Sequence, residues 1–175
     1  ILYVGKKADL STDGVYTWKL RDELAKALNK IDLLGGGSRE AYSKTEFLND
    51  VFMTEERFSS LLSLLMNKQN LILQGAPGVG KTFAAKRLAY AAMGEKDDSR
   101  IELIQFHQNY SYEDFIMGYK PRDTGFELQN GIFFSFCQKA MNMPDKQFFF
   151  IIDEINRGNM SKIFGELLML IEKDY

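Results

Sequence analysis

Residues 70–90 read NLILQGAPGVGKTFAAKRLAY, and the order of textures within them decides the fold. A short apolar run ends at Gly75, a glycine-rich loop follows, and apolar residues then recur at helical spacing. The reading is strand, glycine loop, helix. Within it, Gly75, Ala76, Pro77, Gly78, Val79, Gly80, Lys81 and Thr82 fit G-x-x-x-x-G-K-[S/T] in full. Glycines in such a loop let backbone N–H groups turn inward around phosphate oxygens, and the following helix points its positive end at the same spot. Lys81 suits the β- and γ-phosphates of a nucleotide, and the Thr82 hydroxyl suits Mg²⁺. Phe83, the next residue, completes the candidate nucleotide-binding stretch. An ordinary glycine turn could carry the same letters, but not between an apolar strand and a helix.

A second stretch answers the first. Residues 148–158, FFFIIDEINRG, run five apolar residues into Asp153 and Glu154. Burying an unpaired carboxylate costs several kcal/mol, so a buried strand has no use for two of them unless a positive group meets its tip. In a parallel α/β sheet ligands gather at the carboxyl ends of strands. The acidic tip is therefore expected beside the phosphate loop, with Asp153 in the Mg²⁺ shell and Glu154 orienting and deprotonating the attacking water. A solvated helix start is the bland alternative for the same pair.

The rest of the chain alternates in the same manner. Residues 101–106, IELIQF, read as a strand, and residues 147–153 as another. Continuous apolar strands imply a sheet covered on both faces. Helices are expected over 45–52, from Thr54 as N-cap, over 112–119 behind a Ser111–Asp114 capping box, over 135–143 and after Ser161. Asn130-Gly131 between short apolar runs reads as a hairpin turn. Together these give an α/β chain around a parallel sheet. Residues 1–38 carry a helical pattern and the linker GGGS, and are assigned to the end of an upstream domain; residues 39–175 form the nucleotide-binding unit.

Bulk properties narrow the function. The chain has 175 residues, 45% of them hydrophobic and 26% charged, with a formal net charge of −2. That balance opposes a free-standing nucleic-acid binder, which needs a basic excess. One cysteine, Cys137, and one histidine, His107, allow neither an internal disulfide nor a His/Cys metal cluster. No apolar run reaches the roughly 20 residues of a membrane span, and a cytoplasmic setting is the expectation. His107 reads as a strand-end residue rather than a base, since Glu154 fills that role. Cys137, Phe133, Phe134 and Phe136 read as core.

The segments LQGAPGVGKTFAAKRLAY, QFHQNYSYEDFIMGYKP, GIFFSFCQKA and FFFIIDEINRGNMSKIFGELLMLIE together resemble the motor domain of McrB-type AAA+ proteins, from about residue 43 onward. These are GTP-dependent subunits of restriction systems that cut modified-cytosine DNA. The resemblance implies a three-layer α/β/α P-loop NTPase core of the helix-2-insert group, related more distantly to MoxR and dynein modules. It makes 75–82 the Walker A loop, and Asp153 and Glu154 Walker B. It sets Asn156 and Arg157 near a neighbouring subunit or the γ-phosphate, and makes the hairpin an insert facing the pore of a hexameric ring. It further implies GTP or ATP as substrate, Mg²⁺, a nuclease subunit of McrC type, and DNA bound through a domain outside this chain. The family's fourth strand, sensor, arginine finger and helical lid are expected beyond Tyr175. Without that strand, the first and third strands are expected to face each other across a gap, and the 175 residues alone neither to fold stably nor to turn over nucleotide.

Competing readings are a nucleotide-bound assembly scaffold, a metabolic kinase and a circularly permuted GTPase. The last draws on Asn29-Lys30-Ile31-Asp32, an N-K-x-D box. That box follows a helical pattern where a guanine box needs a strand end, and no D-x-x-G follows the phosphate loop. A kinase needs an Arg-rich acceptor site, and none follows Lys81. A scaffold has no need of Glu154.

Overall fold

A computed structural model describes residues 2–4, 40–123 and 125–168. The helix expected near the N-terminus, the GGGS linker and the N-K-x-D box lie outside these residues, as does the end of the last helix.

Three helices open the described unit. α1 (Lys44–Asp50) starts at Ser43, whose side chain accepts from the Thr45 N–H while Glu46 returns a bond to the Ser43 N–H. α2 (Glu55–Lys68) starts at Thr54, whose hydroxyl accepts from the Arg57 N–H, and ends on left-handed Gln69. α3 (Lys81–Met93) follows the glycine loop and ends on Gly94. Their apolar faces meet in one core: Tyr42, Phe47, Phe58, Leu65, Leu71, Leu88 and Ala89, with Phe149 from the sheet.

The central strand is β5 (Phe148–Asp153). Phe148, Phe149 and Phe150 are fully buried. Alternation sends Phe149 to the core of α1–α3 and sends Phe148 and Phe150 to a second core on the other face. That second core holds Phe106, which follows a strand, with Phe115, Phe136, Ile163 and Phe164 carried by three further helices. These are α4 (Tyr112–Phe115), α5 (Ile132–Met141) and α6 (Met160–Phe164). The result is the expected three-layer arrangement. β2 (Ile101–Gln105) runs parallel to β5, Ile101 opposite Phe149 and Gln105 opposite Asp153.

The helix expected over 112–119 ends at Phe115, because Met117–Arg122 pair as a strand, and the structure departs from the sequence reading in three further places. First, residues 71–76 form no ladder strand. Leu71 is buried and Leu73 half-buried against the first core, while Ile72 is exposed, so this run is covered on one face only. Second, the edge of β5 away from β2 is occupied by β1 (Leu2–Val4), antiparallel, with Leu2 opposite Phe150 and Val4 opposite Phe148. A strand edge rich in unpaired N–H and C=O groups recruits any extended segment within reach.

Third, the hairpin does not turn at Asn130-Gly131. β3 (Met117–Arg122) pairs antiparallel with β4 (Gly125–Asn130), Arg122 opposite Gly125 and Met117 opposite Asn130. Asn130 thus ends the second strand, and Ile132, Phe133 and Phe134 are helical. Gly131 serves a different need: its N–H donates to the Ile116 carbonyl at 2.7 Å, and a Cβ there would lie 2.5 Å from the Ile116 nitrogen. Close backbone crossing requires glycine at this position, not a turn.

Candidate functional site

The glycine loop at 75–80 has open, glycine-dependent backbone. Gly78 and Gly80 both hold φ near +78°, which L side chains rarely adopt, and both sides where a Cβ would stand are open space. Helices α1, α2, α4 and α6 are each capped by a side chain, from Ser43, Thr54, Ser111 and Asn159. Like α5 at Gly131, α3 begins at Gly80 with no side-chain cap and no acidic residue in its first turn. Its leading N–H groups are thus left without a side-chain acceptor, the condition under which a helix start attracts phosphate. The Lys81 ammonium folds back over the loop, donating to the carbonyls of Gly75 at 3.1 Å and Ala76 at 2.8 Å.

The acidic strand tip meets this loop. The Thr82 hydroxyl donates to Asp153 Oδ2 at 2.9 Å, joining residues 71 apart in sequence. Asp153 Oδ1 accepts the Glu154 N–H at 2.9 Å, and the Asp153 carbonyl accepts the Phe106 N–H at 3.0 Å. Both carboxylate oxygens and the backbone are therefore positioned. Two oxygens of the kind Mg²⁺ prefers stand side by side here. Among the described residues no three His, Cys, Asp or Glu side chains gather as a cage. The set therefore fits an ion held by one or two protein oxygens, with phosphate and water supplying the rest. Thr82 and Asp153 are the residues that would hold it.

Glu154 adopts φ 51°, ψ 41°, the left-handed region, where a non-glycine residue costs about 1–2 kcal/mol. Such strain at a strand tip persists only where the surroundings over-determine it. The next residues form a 3-10 turn (Ile155–Arg157), and Arg157 Nε donates to Glu154 Oε2 at 3.0 Å. Asn156 and Arg157 are both exposed. Gly158 lets the turn fold tightly, since a Cβ there would meet Ile163 Cδ1 at 2.6 Å and Phe106 at 2.9 Å.

Other expectations resolve simply. Val79 is exposed at the loop tip. Phe83 is partly exposed on the first turn of α3, with the Arg87 guanidinium 3.3 Å from its ring centre. His107 is exposed and stacks edgewise on Tyr110. Phe136 is buried, Phe133 stacks on Phe115, and Phe134 is half-buried. Cys137 is half-buried, and burial pushes its thiol up to about 11.

Two groups escaped the sequence reading. Arg87 ion-pairs Asp50 at 3.5 Å, and Asp50 accepts the Tyr42 hydroxyl at 2.7 Å. This chain ties the helix after the phosphate loop to the end of α1. Burial, then the bond to Asp50, raises the Tyr42 phenol well above its ordinary value. The second group is buried Arg100, which donates to Asp97 at 2.7 Å and to Glu95 and bears on the Gln147 carbonyl, anchoring the entry of β2 to that of β5. No local spacing announces the first; the second contains an i,i+3 pair, Asp97–Arg100, but its reach to Gln147 is not local.

Residues 70–175 match the AAA domain of the dynein-related subfamily. The chain belongs to that family. It is also similar to the EcoKMcrB subunit of the type IV methyl-directed restriction enzyme of Escherichia coli K12, 55% identical over 135 residues. A weaker likeness, 27% over 147 residues, is to component YdiS of the type II restriction enzyme BsuMI of Bacillus subtilis 168. The matched parts cover 77% and 69% of this chain, but 29% and 42% of those relatives. The resemblance to McrB-type AAA+ NTPases therefore stands on the comparison as well as on the motifs. Among the described residues, no helix is long and apolar enough to cross a membrane.

Proposed function

We propose that this chain carries the catalytic half-site of a Mg²⁺-dependent NTPase motor, hydrolysing GTP or ATP within a ring of like subunits in a restriction system. The observation that carries the reading is the Thr82–Asp153 hydrogen bond. It brings the loop that suits phosphate and the strand tip that suits metal to one point. Folding alone gives no reason to set a carboxylate there.

In this reading the backbone of residues 75–80 and the first turn of α3 bind the triphosphate. Lys81 leaves its carbonyl partners for the β- and γ-phosphate oxygens, a short swing for a flexible four-carbon side chain. Thr82 and Asp153 would hold Mg²⁺, which would supply charge neutralisation when bound. Glu154 takes the proton from the water that attacks the γ-phosphorus, as the bridging P–O bond breaks and the nucleoside diphosphate leaves.

The relatives support a reading of the larger assembly. A restriction-system setting suggests a nuclease partner of McrC type and DNA recognised by another domain, while the protein moves along or remodels its target. The β3–β4 hairpin supports a contact role, because Tyr119, Phe126 and Leu128 are exposed and its cations already pair with Asp114 and Glu127. Tyr119 stands opposite Leu128 and Pro121 opposite Phe126, which makes one apolar face.

The test is a full-length protein assayed with each NTP, wild type against Glu154→Gln. The variant keeps nucleotide affinity and loses turnover by about 10²-fold or more. Turnover within a fewfold of wild type would favour the scaffold reading, in which bound nucleotide only stabilises assembly.

A further inference from the structure

Glu154 has a partner that the motif does not call for. Its Oε2 accepts from Arg157 Nε at 3.0 Å across one turn, while no described residue donates to Oε1. The carboxylate of a residue in the left-handed region projects differently from that of an ordinary strand residue, so its direction is set by this turn and not by the pleat. The turn is itself tied down: Arg157 N–H donates to the Glu154 carbonyl at 2.8 Å, and Gly158 packs against Phe106 and Ile163 in the second core.

We propose that Arg157 is a positioning residue for hydrolysis in cis. It clamps one oxygen of Glu154 and leaves the other directed at the attacking water. This rests on the NTPase reading above. It also assigns Arg157 a role within its own subunit, in place of a contact to a neighbour or to the γ-phosphate. An ion pair this exposed adds little to folding. Its value lies in restricting where a flexible glutamate points, since a misplaced base loses rate steeply. Arginine suits the task because its guanidinium is always charged and its N–H groups have fixed directions.

The experiment is a double-mutant cycle in the full-length protein, read by single-turnover phosphate release with labelled NTP. Arg157→Ala lowers the rate about 10-fold or more, with nucleotide Kd within about twofold. Arg157→Lys recovers part of the loss, because a cation remains but the fork is lost. In a Glu154→Gln background, Arg157→Ala adds no further loss, since it acts only through Glu154. Multiplying losses in that background, or an Arg157→Ala rate equal to wild type, overturns the clamp. A Kd that rises with the rate loss also overturns it, since that marks damage to the Thr82–Asp153 contact. If Glu154→Gln itself turns over normally, the NTPase reading fails instead, so the two failures are distinct.

Discussion

Thr82→Val separates the two tasks that the geometry gives to one hydroxyl. Valine has nearly the shape of threonine, so the first turn of α3 and its packing are kept. What disappears is the 2.9 Å bond to Asp153 Oδ2, together with the oxygen that would hold the metal. A hydrogen bond to a charged group is worth about 1.5–3 kcal/mol, and the lower end applies to these half-buried partners. That bond also exists without ligand, so the binding loss for the Mg²⁺-nucleotide complex comes from the missing metal oxygen, a charge-assisted contact of similar size, about 10-fold at about 1.4 kcal/mol per decade. The same nucleotide in EDTA loses little, because Lys81 and the loop backbone are unchanged. Thr82→Ser keeps the oxygen and stays within about threefold. Titration of a fluorescent nucleotide into the full-length protein, with and without Mg²⁺, reads both quantities. Equal affinities for Thr82→Val and wild type in Mg²⁺ would refute the convergence of loop and strand tip on one ion.

Three further outcomes follow from the packing. Gly131→Ala pushes a Cβ into the backbone at Phe115 and Ile116, and is expected to cost about 1–3 kcal/mol, seen as a lower urea midpoint for the full-length chain. Replacing Asn130 instead leaves the midpoint unchanged, because the hairpin does not turn there. Cys137 ionises near pH 11 rather than at its ordinary 9.0, so at pH 8 its thiolate fraction is about 100-fold lower than in the unfolded chain, and labelling by a disulfide reagent slows accordingly. The sign for stability follows: a raised pKa favours the neutral thiol, so its contribution is whole below pH 9.0 and fades as pH rises toward 11. Lys81→Ala removes the donor to the Gly75 and Ala76 carbonyls and the cation for phosphate, and is expected to weaken nucleotide binding by about 10²-fold in the same titration.

Much of the site was legible because its signals are local. Thr54 and Ser111 announce helix starts through bonds to residues three positions on, and both cap as read, while Ser43 caps the helix expected from residue 45 without having been singled out. The five apolar residues before Asp153 need cover on both faces, and β5 has it. The loop at 75–82 carries its own geometry, since glycine is needed wherever φ is near +78°. Length, composition and these patterns were enough to assign the α/β class and to name the lysine, threonine, aspartate and glutamate.

Other features depend on residues far apart in sequence, which no window along the chain reports. Asn130-Gly131 has the letters of a turn, yet a crossing by Ile116, held in place by the second core, makes that glycine a close-approach point and moves the turn toward Asp123. The run at 71–73 has the composition of a strand but forms no ladder in the structure. The left-handed Glu154 and the Tyr42–Asp50–Arg87 chain are likewise set by where packed layers put the backbone. Local chemistry chose which groups take part. The folded layers chose where those groups point, because direction is settled by contacts and contacts are not periodic.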